Sequence, residues 1–182
     1  MVDLDELVGA DELALLFRVD DGRTLNLLDL VGSIRSDSRV SLALPSESTL
    51  IWSPTLAQAW ACDCAERVLP LFEREFPHES AVRNAVLVAR SAASQAERQR
   101  AEDACDAVWR RYYDWTRDSD AQSGAVKAAR AALATLSEDP AEATPSFAAF
   151  AVERAMGSVE ASLAEYRWQG RRLLAYHSGQ LR

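Results

Sequence analysis

From residue 53 onward the apolar residues recur at three- and four-residue intervals, the period of a helix face. Ser53-Pro54 reads as a helix start, a capping residue followed by proline in the first turn. The stripe Leu56, Trp60, Cys64, Val68 and Leu71 follows it. Pro77-His78-Glu79-Ser80 separates that helix from a second, which carries Val82, Val86, Ala89 and Ala93 on one face, with Ala85 beside the stripe. A third, over roughly residues 96–117, has a face of Ala101, Cys105, Val108, Tyr112 and Trp115, widened by Trp109 and Tyr113. So broad a face predicts a central helix touched on two sides. A fourth, about 121–136, is alanine-rich, with Val126, Leu133 and Leu136. Ser137 to Glu142 reads as a loop. Thr144-Pro145 then starts a fifth helix with Phe147, Phe150, Ala151, Ala155, Val159, Leu163 and Tyr166 inward, ended or bent at Gly170. The pattern predicts an all-α fold, a single-domain multi-helix bundle of five or more helices over residues 51–182.

Residues 1–50 are patterned less regularly. Asp11 can cap a helix through Leu13, Leu15, Leu16 and Val19, and Thr24 a second bearing Leu25, Leu27, Leu28, Leu30 and Val31, with Asp20-Asp21-Gly22 as the turn between them. A hairpin around Asp21-Gly22 is the alternative, permitted by the β-branched Val19 and Thr24. Two short helices are the preferred reading. Arg39 to Leu44 alternates in a strand-like way until Pro45 ends it. This segment is expected to pack on the bundle as part of one domain.

Composition narrows the function classes. The chain has 182 residues, enough for one well-buried core, and its scarcity of glycine, with 7, agrees with helix. The net charge of −8 disfavours a general nucleic-acid or anionic-membrane binder. Ten acids and four bases fall in residues 1–50, so that end is suited to a basic partner. No run approaches the roughly 20 apolar residues of a membrane span. The acidic N-terminus lacks a signal core, and three cysteines make no disulfide framework. The expected setting is cytoplasmic.

The segment Trp60 to Phe72 holds the densest candidate chemistry. Asp63 and Arg67 are spaced as a favourable helical pair, with Glu66 on a neighbouring edge. These residues either fix helices to one another or face a partner. Two carboxylates without other polar groups in the pattern are a poor acid–base site. Pro70 cannot donate to the Glu66 carbonyl, which requires a kink or a stop at Leu69. Cys64 falls on the core stripe and Cys62 off it, and both read as structural cysteines, as does Cys105 on its own apolar face. Trp168 and Gln169, with Arg167, Arg171 and Arg172, form an aromatic–basic patch near the C-terminus. The preferred reading is that Trp168 closes the end of the bundle and the arginines pair with acids of the first fifty residues; the alternative is a patch that grips phosphate or an acidic partner. Only two histidines are present and there is no phosphate-cradling glycine loop, so no catalytic, cofactor-binding or metal-binding residue is expected.

The motif Trp60-x-x-Asp63-Cys64-Ala65-Glu66-Arg67-Val68-Leu69-Pro70-Leu71-Phe72 resembles the opening helix of the helical immunity-protein family of bacterial polymorphic-toxin systems. Two weaker pieces follow in the family's order: Arg83-Asn84-Ala85-Val86-Leu87-Val88-Ala89-Arg90, and Tyr166-Arg167-Trp168-Gln169. The resemblance spans roughly residues 56–175 and leaves the first fifty unmatched. It implies a non-enzymatic domain that neutralises a cognate toxin by direct binding. The candidate partner-binding residues, read from the residues themselves, are Asp63, Glu66, Arg67, Trp168, Gln169 and Arg171. A protein partner is therefore expected, for which a basic toxin domain fits the charge. A cytoplasmic helical scaffold or regulatory module, self-associating as a homodimer, is the alternative.

Overall fold

The structure, a computed structural model, describes residues 16–19, 24–26, 39–42, 49–51, 53–113 and 119–177. The all-α expectation holds for the bundle. Six helices are described: α1 Pro54–Glu75, α2 Ala81–Arg90, α3 Gln95–Tyr113, α4 Asp120–Ala134, α5 Pro140–Met156 and α6 Val159–His177. Their starts follow from local chemistry. Ser53 accepts from the Leu56 N–H at 3.2 Å, and Pro54 occupies the first turn, where its missing N–H costs nothing. Ser94 and Glu97 form a reciprocal capping box on α3, and Ser119 caps α4 through the Gln122 N–H.

The helix at the centre is α1, not α3. Ten α1 residues are buried, among them Trp60, Val68, Leu69 and Phe72, against three on α3. Helix α1 packs against α2, α4, α5 and α6. The wide aromatic face of α3 misled the sequence reading because Trp109 and Tyr112 are only half-buried and Tyr113 is exposed; Trp115 lies outside the described residues. Cys62, expected off the core stripe, is fully buried with Cys64, because α1 is covered on nearly every side.

Helix α1 runs through Pro70 to Glu75, so of the kink or stop that the proline required, the stop at Leu69 does not occur. Three boundaries differ from expectation. Helix α5 begins at Pro140, in what read as a loop, and Pro145 sits inside it. The long fifth helix is two helices: Gly157, at φ 62°, adopts the left-handed conformation that terminates α5, and α6 then runs past Gly170 to His177. The second helix stops at Arg90, before Ala93.

In the N-terminal segment the hairpin reading holds and the two-helix preference does not. Strands β1 (Leu16–Val19), β2 (Thr24–Asn26), β3 (Arg39–Leu42) and β4 (Thr49–Ile51) form one antiparallel sheet in the order β2-β1-β3-β4. Phe17 pairs with Leu25 on one side and Leu42 on the other, so the strand-like alternation after Arg39 is a true strand. The cap expected at Asp11 and the turn at Asp20-Asp21-Gly22 lie outside the described residues.

Helices α4 and α5 make the most extensive contact in the bundle. A Cβ on Gly124 would meet the Ala151 carbonyl oxygen, the Ala155 nitrogen and the Ala155 Cβ, each at 2.7 Å. Around Gly124 the buried surface is almost all alanine: Ala125, Ala128, Ala129 and Ala132 on α4, Ala148 and Ala151 on α5. Small side chains let the two backbones approach, and the dense packing that results replaces large apolar groups.

Candidate functional site

Five of the six candidate residues of the sequence, Asp63, Glu66, Arg67, Trp168 and Gln169, meet in polar contacts where α1, α2 and α6 converge; the sixth, Arg171, is exposed on α6. Asp63 is the hub of this cluster, only 6% exposed. Its Oδ1 accepts from Arg90 of α2; its Oδ2 accepts from Arg172 and, at 2.8 Å, from the Tyr176 hydroxyl, both on α6. Arg90 also donates to both oxygens of Glu66, at 2.7 and 2.9 Å, a two-pronged pairing that suits the planar guanidinium. Among the described residues Asp63 and Arg67 do not pair. Arg67 turns instead to Glu165 of α6 at 2.7 Å and lies over the Trp168 ring, 4.4 Å from its centre.

Gln169 completes the seam from inside. It is fully buried, and its amide nitrogen donates to the Pro145 carbonyl at 3.0 Å and to Glu165 at 3.4 Å. Its backbone carbonyl accepts from the Trp60 indole at 3.0 Å. Trp60 thus joins α1 to α6, and Gln169 joins α6 to α5. Among the described residues, Oε1 of Gln169 and Oγ1 of Thr144 are buried without a hydrogen-bond partner.

The electrostatics follow from these contacts. Burial works to raise the Asp63 pKa, but the hydrogen bonds from Arg172, Arg90 and Tyr176 outweigh it and hold the carboxyl below its ordinary value. Arg90 is held protonated by Glu66 and Asp63 despite its burial, and Arg172 by Asp63. Burial and the adjacent carboxylate push the Tyr176 hydroxyl up to about 12. Glu165 goes the other way from Asp63: burial raises its pKa, and Arg67 and Gln169 only partly offset that. Desolvation likewise raises all three thiols, Cys105 to about 12, so none is an activated nucleophile.

Asp63 and Gln169, both candidates for a partner surface, are inside; Asp63 instead follows its preferred reading and fixes helices to one another, through side chains of α2 and α6. Neither can reach a partner while the helices stay packed. Glu66, Arg67, Trp168 and Arg171 keep exposed surface. Arg172, expected to pair with acids of the first fifty residues, pairs with Asp63. Glu165 and Tyr176 were not singled out by sequence. The signal was there: Glu165, Gln169, Arg172 and Tyr176 are spaced four, three and four apart, a helical face of polar residues among apolar ones. A separate hollow of about 270 Å³, lined by Asp120, Glu153, Arg154, Gly157, Ser158 and Val159, touches none of these residues. Among the described residues no group of three or more histidine, cysteine or acidic side chains is placed to hold a metal, and no helix is long and apolar enough to cross a membrane.

The fold and cluster define an all-α multi-helix bundle cross-tied by buried ion pairs. No protein-family model, curated protein or solved structure matches the chain.

Proposed function

We propose that the chain is a non-enzymatic protein-binding domain of the immunity type, which neutralises a cognate bacterial toxin in the cytoplasm by direct contact. The observation that supports this most is the convergence of the three resembling segments. Asp63 and Glu66 come from the first, Arg90 from the second, Trp168 and Gln169 from the third, and one cluster joins them. Residues that hold the bundle together would be a signature of the fold, which is how such a motif marks a family without being a site. The chemistry of the cluster agrees. Asp63 is held ionised by two arginines and a tyrosine, which opposes the proton transfer a general acid or base must perform. The test is co-expression with each toxic product encoded beside this chain: for one of them cells survive when the chain is present, and the two proteins co-purify. Cell death at equal expression with every such product would overturn the reading.

A second reading, a self-associating scaffold or regulatory module, is favoured by the apolar side chains at the α5–α6 corner. Met156 is 68% and Val159 60% exposed. Light scattering on Met156→Glu and on the unaltered chain distinguishes them: a dimer that the substitution splits supports the scaffold, and a monomer in both counts against it.

A further inference from the structure

The bundle's arginines divide into two kinds. Arg67, Arg83, Arg90 and Arg172 each reach a carboxylate within ion-pair distance. Arg130, half-buried on α4, does not. Its guanidinium carbon lies 4.8 Å from the centre of the Trp109 ring of α3 and 5.5 Å from that of Phe147 of α5. Among the described residues it has no hydrogen-bond or ion-pair partner. Stacking on aromatic rings engages the flat face of a guanidinium, whereas its five N–H donors lie in the plane. The cation is thus held against two rings, and among the described residues none of its donors meets an acceptor.

The surroundings extend this arrangement into a surface. Tyr113, 50% exposed, packs on Trp109 with ring centres 5.1 Å apart. Helices α4 and α5 are antiparallel, since Gly124 lies against Ala151 and Ala155 while Arg130 lies against Phe147. That register sets Lys127 near the level of Phe150, which is 48% exposed. Lys127 also has no ion-pair partner among the described residues. Aromatic rings framing an arginine are the composition of the energetically dominant centres of protein interfaces.

We infer that the face formed by Trp109, Arg130 and Phe147 docks a carboxylate side chain of a partner protein, presented on an apolar or aromatic segment. The charge selects the acid: Arg130 and Lys127, which have no ion-paired carboxylate among the described residues, stand on one face of an otherwise acidic chain. The rings select the flanking apolar residue and exclude water from the pair, which strengthens it. The net charge of −8 repels an acidic partner at long range, so recognition acts at contact. This rests on the reading of the chain as a protein-binding domain, and it places the contact away from the Asp63 cluster.

The test uses the full chain and, as probe, a fluorescein-labelled random copolymer of glutamate and tyrosine. Binding is read by anisotropy, and its location by the side-chain N–H resonances of Arg130 and Trp109. The expected result is a shift of both resonances, with affinity lowered at least about tenfold in Arg130→Ala and not restored in Arg130→Lys, which loses the planar fork. Lys127→Ala lowers it by about threefold, and Arg74→Ala leaves it unchanged. Thermal melts establish that each variant is folded, and Arg130→Lys keeps the charge should the alanine variant unfold. Equal affinity in folded Arg130→Lys would overturn the proposal, as would an equal loss in Arg74→Ala. Inorganic phosphate that shifts the same resonances and displaces the copolymer would also overturn it, in favour of a small oxyanion site. Survival against the neighbouring toxin without copolymer binding sinks this face alone; copolymer binding without survival sinks the toxin reading alone.

Discussion

The seam between α1 and α6 and the seam between α4 and α5 hold helices together by opposite means. At the first, a buried carboxylate gathers cations and a hydroxyl from two other helices. At the second, a glycine and a run of alanines let two backbones approach until a single added methyl has no room. Charge pairs specify direction and partner but must offset the desolvation of each ion. Small-residue contact needs no offset, yet it leaves no slack for a larger group. One bundle that uses both separates what fixes the arrangement of helices from what fixes their distance.

The sharpest break in this comparison is Asp63→Asn. It leaves Arg90 and Arg172 facing a neutral group, and we expect a loss of about 3 kcal/mol, read by urea denaturation. Acid should mimic it. The folded pKa of Asp63 is below the ordinary 3.8, so the unfolded state binds the proton first. Its stabilisation is complete above 3.8 and is lost as the pH falls through the folded value. The difference between the unaltered chain and Asp63→Asn should therefore shrink below that pH and stay level above it.

Gly124→Ala attacks the other seam. Alanine favours a helix over glycine by up to about 1 kcal/mol, but its methyl would meet backbone atoms of α5 that cannot rotate away. We expect a net loss of about 2 kcal/mol with no dependence on pH. A stabilised variant would show that the α4–α5 seam is looser than its geometry.

Glu165→Gln gives the smallest change and the opposite sign of pH dependence. Burial raises the Glu165 pKa above 4.5, so the native state holds this proton more tightly than the unfolded chain. Its contribution is present below 4.5 and is lost as the pH rises through the folded value. The glutamine keeps an acceptor for Arg67, so stability at neutral pH should stay within about 1 kcal/mol of the original. The loss of stability on raising the pH from 4.5 should become shallower, as pH-dependent urea midpoints will show.

Much of this was legible in the chain. Periodicity located α1, α2 and α4 within a few residues, because a cap and a regular stripe mark them. It failed where a local signal carried two meanings. Thr144-Pro145 looks like a helix start, yet Asp139-Pro140 starts the helix one turn earlier and the bundle tolerates Pro145 inside it. Gly157 was overlooked because apolar residues continue on both sides, so the break shows only in the left-handed backbone. Aromatic bulk on α3 suggested a central helix, whereas the centre belongs to α1, whose small Ala57, Ala61 and Ala65 let a neighbour close in along one face while Trp60, Cys62, Cys64 and Val68 are buried on others. At the candidate site Asp63, Glu66 and Arg67 were visible, but their partners lie 24 to 113 residues away, beyond the reach of a helical spacing rule. The nearest such rule, the pair of Asp63 with Arg67, gave way because each found a partner on another helix, where burial makes the bond stronger.

The central claim is that the Asp63 motif ties helices together. A double-mutant cycle across Asp63→Ala and Arg172→Ala measures this directly, because the two residues are 109 apart in sequence and the bond between them runs from α1 to α6. The account predicts a coupling of about 2 kcal/mol in urea denaturation, with the double variant losing clearly less than the two single losses combined. Additive losses would contradict it.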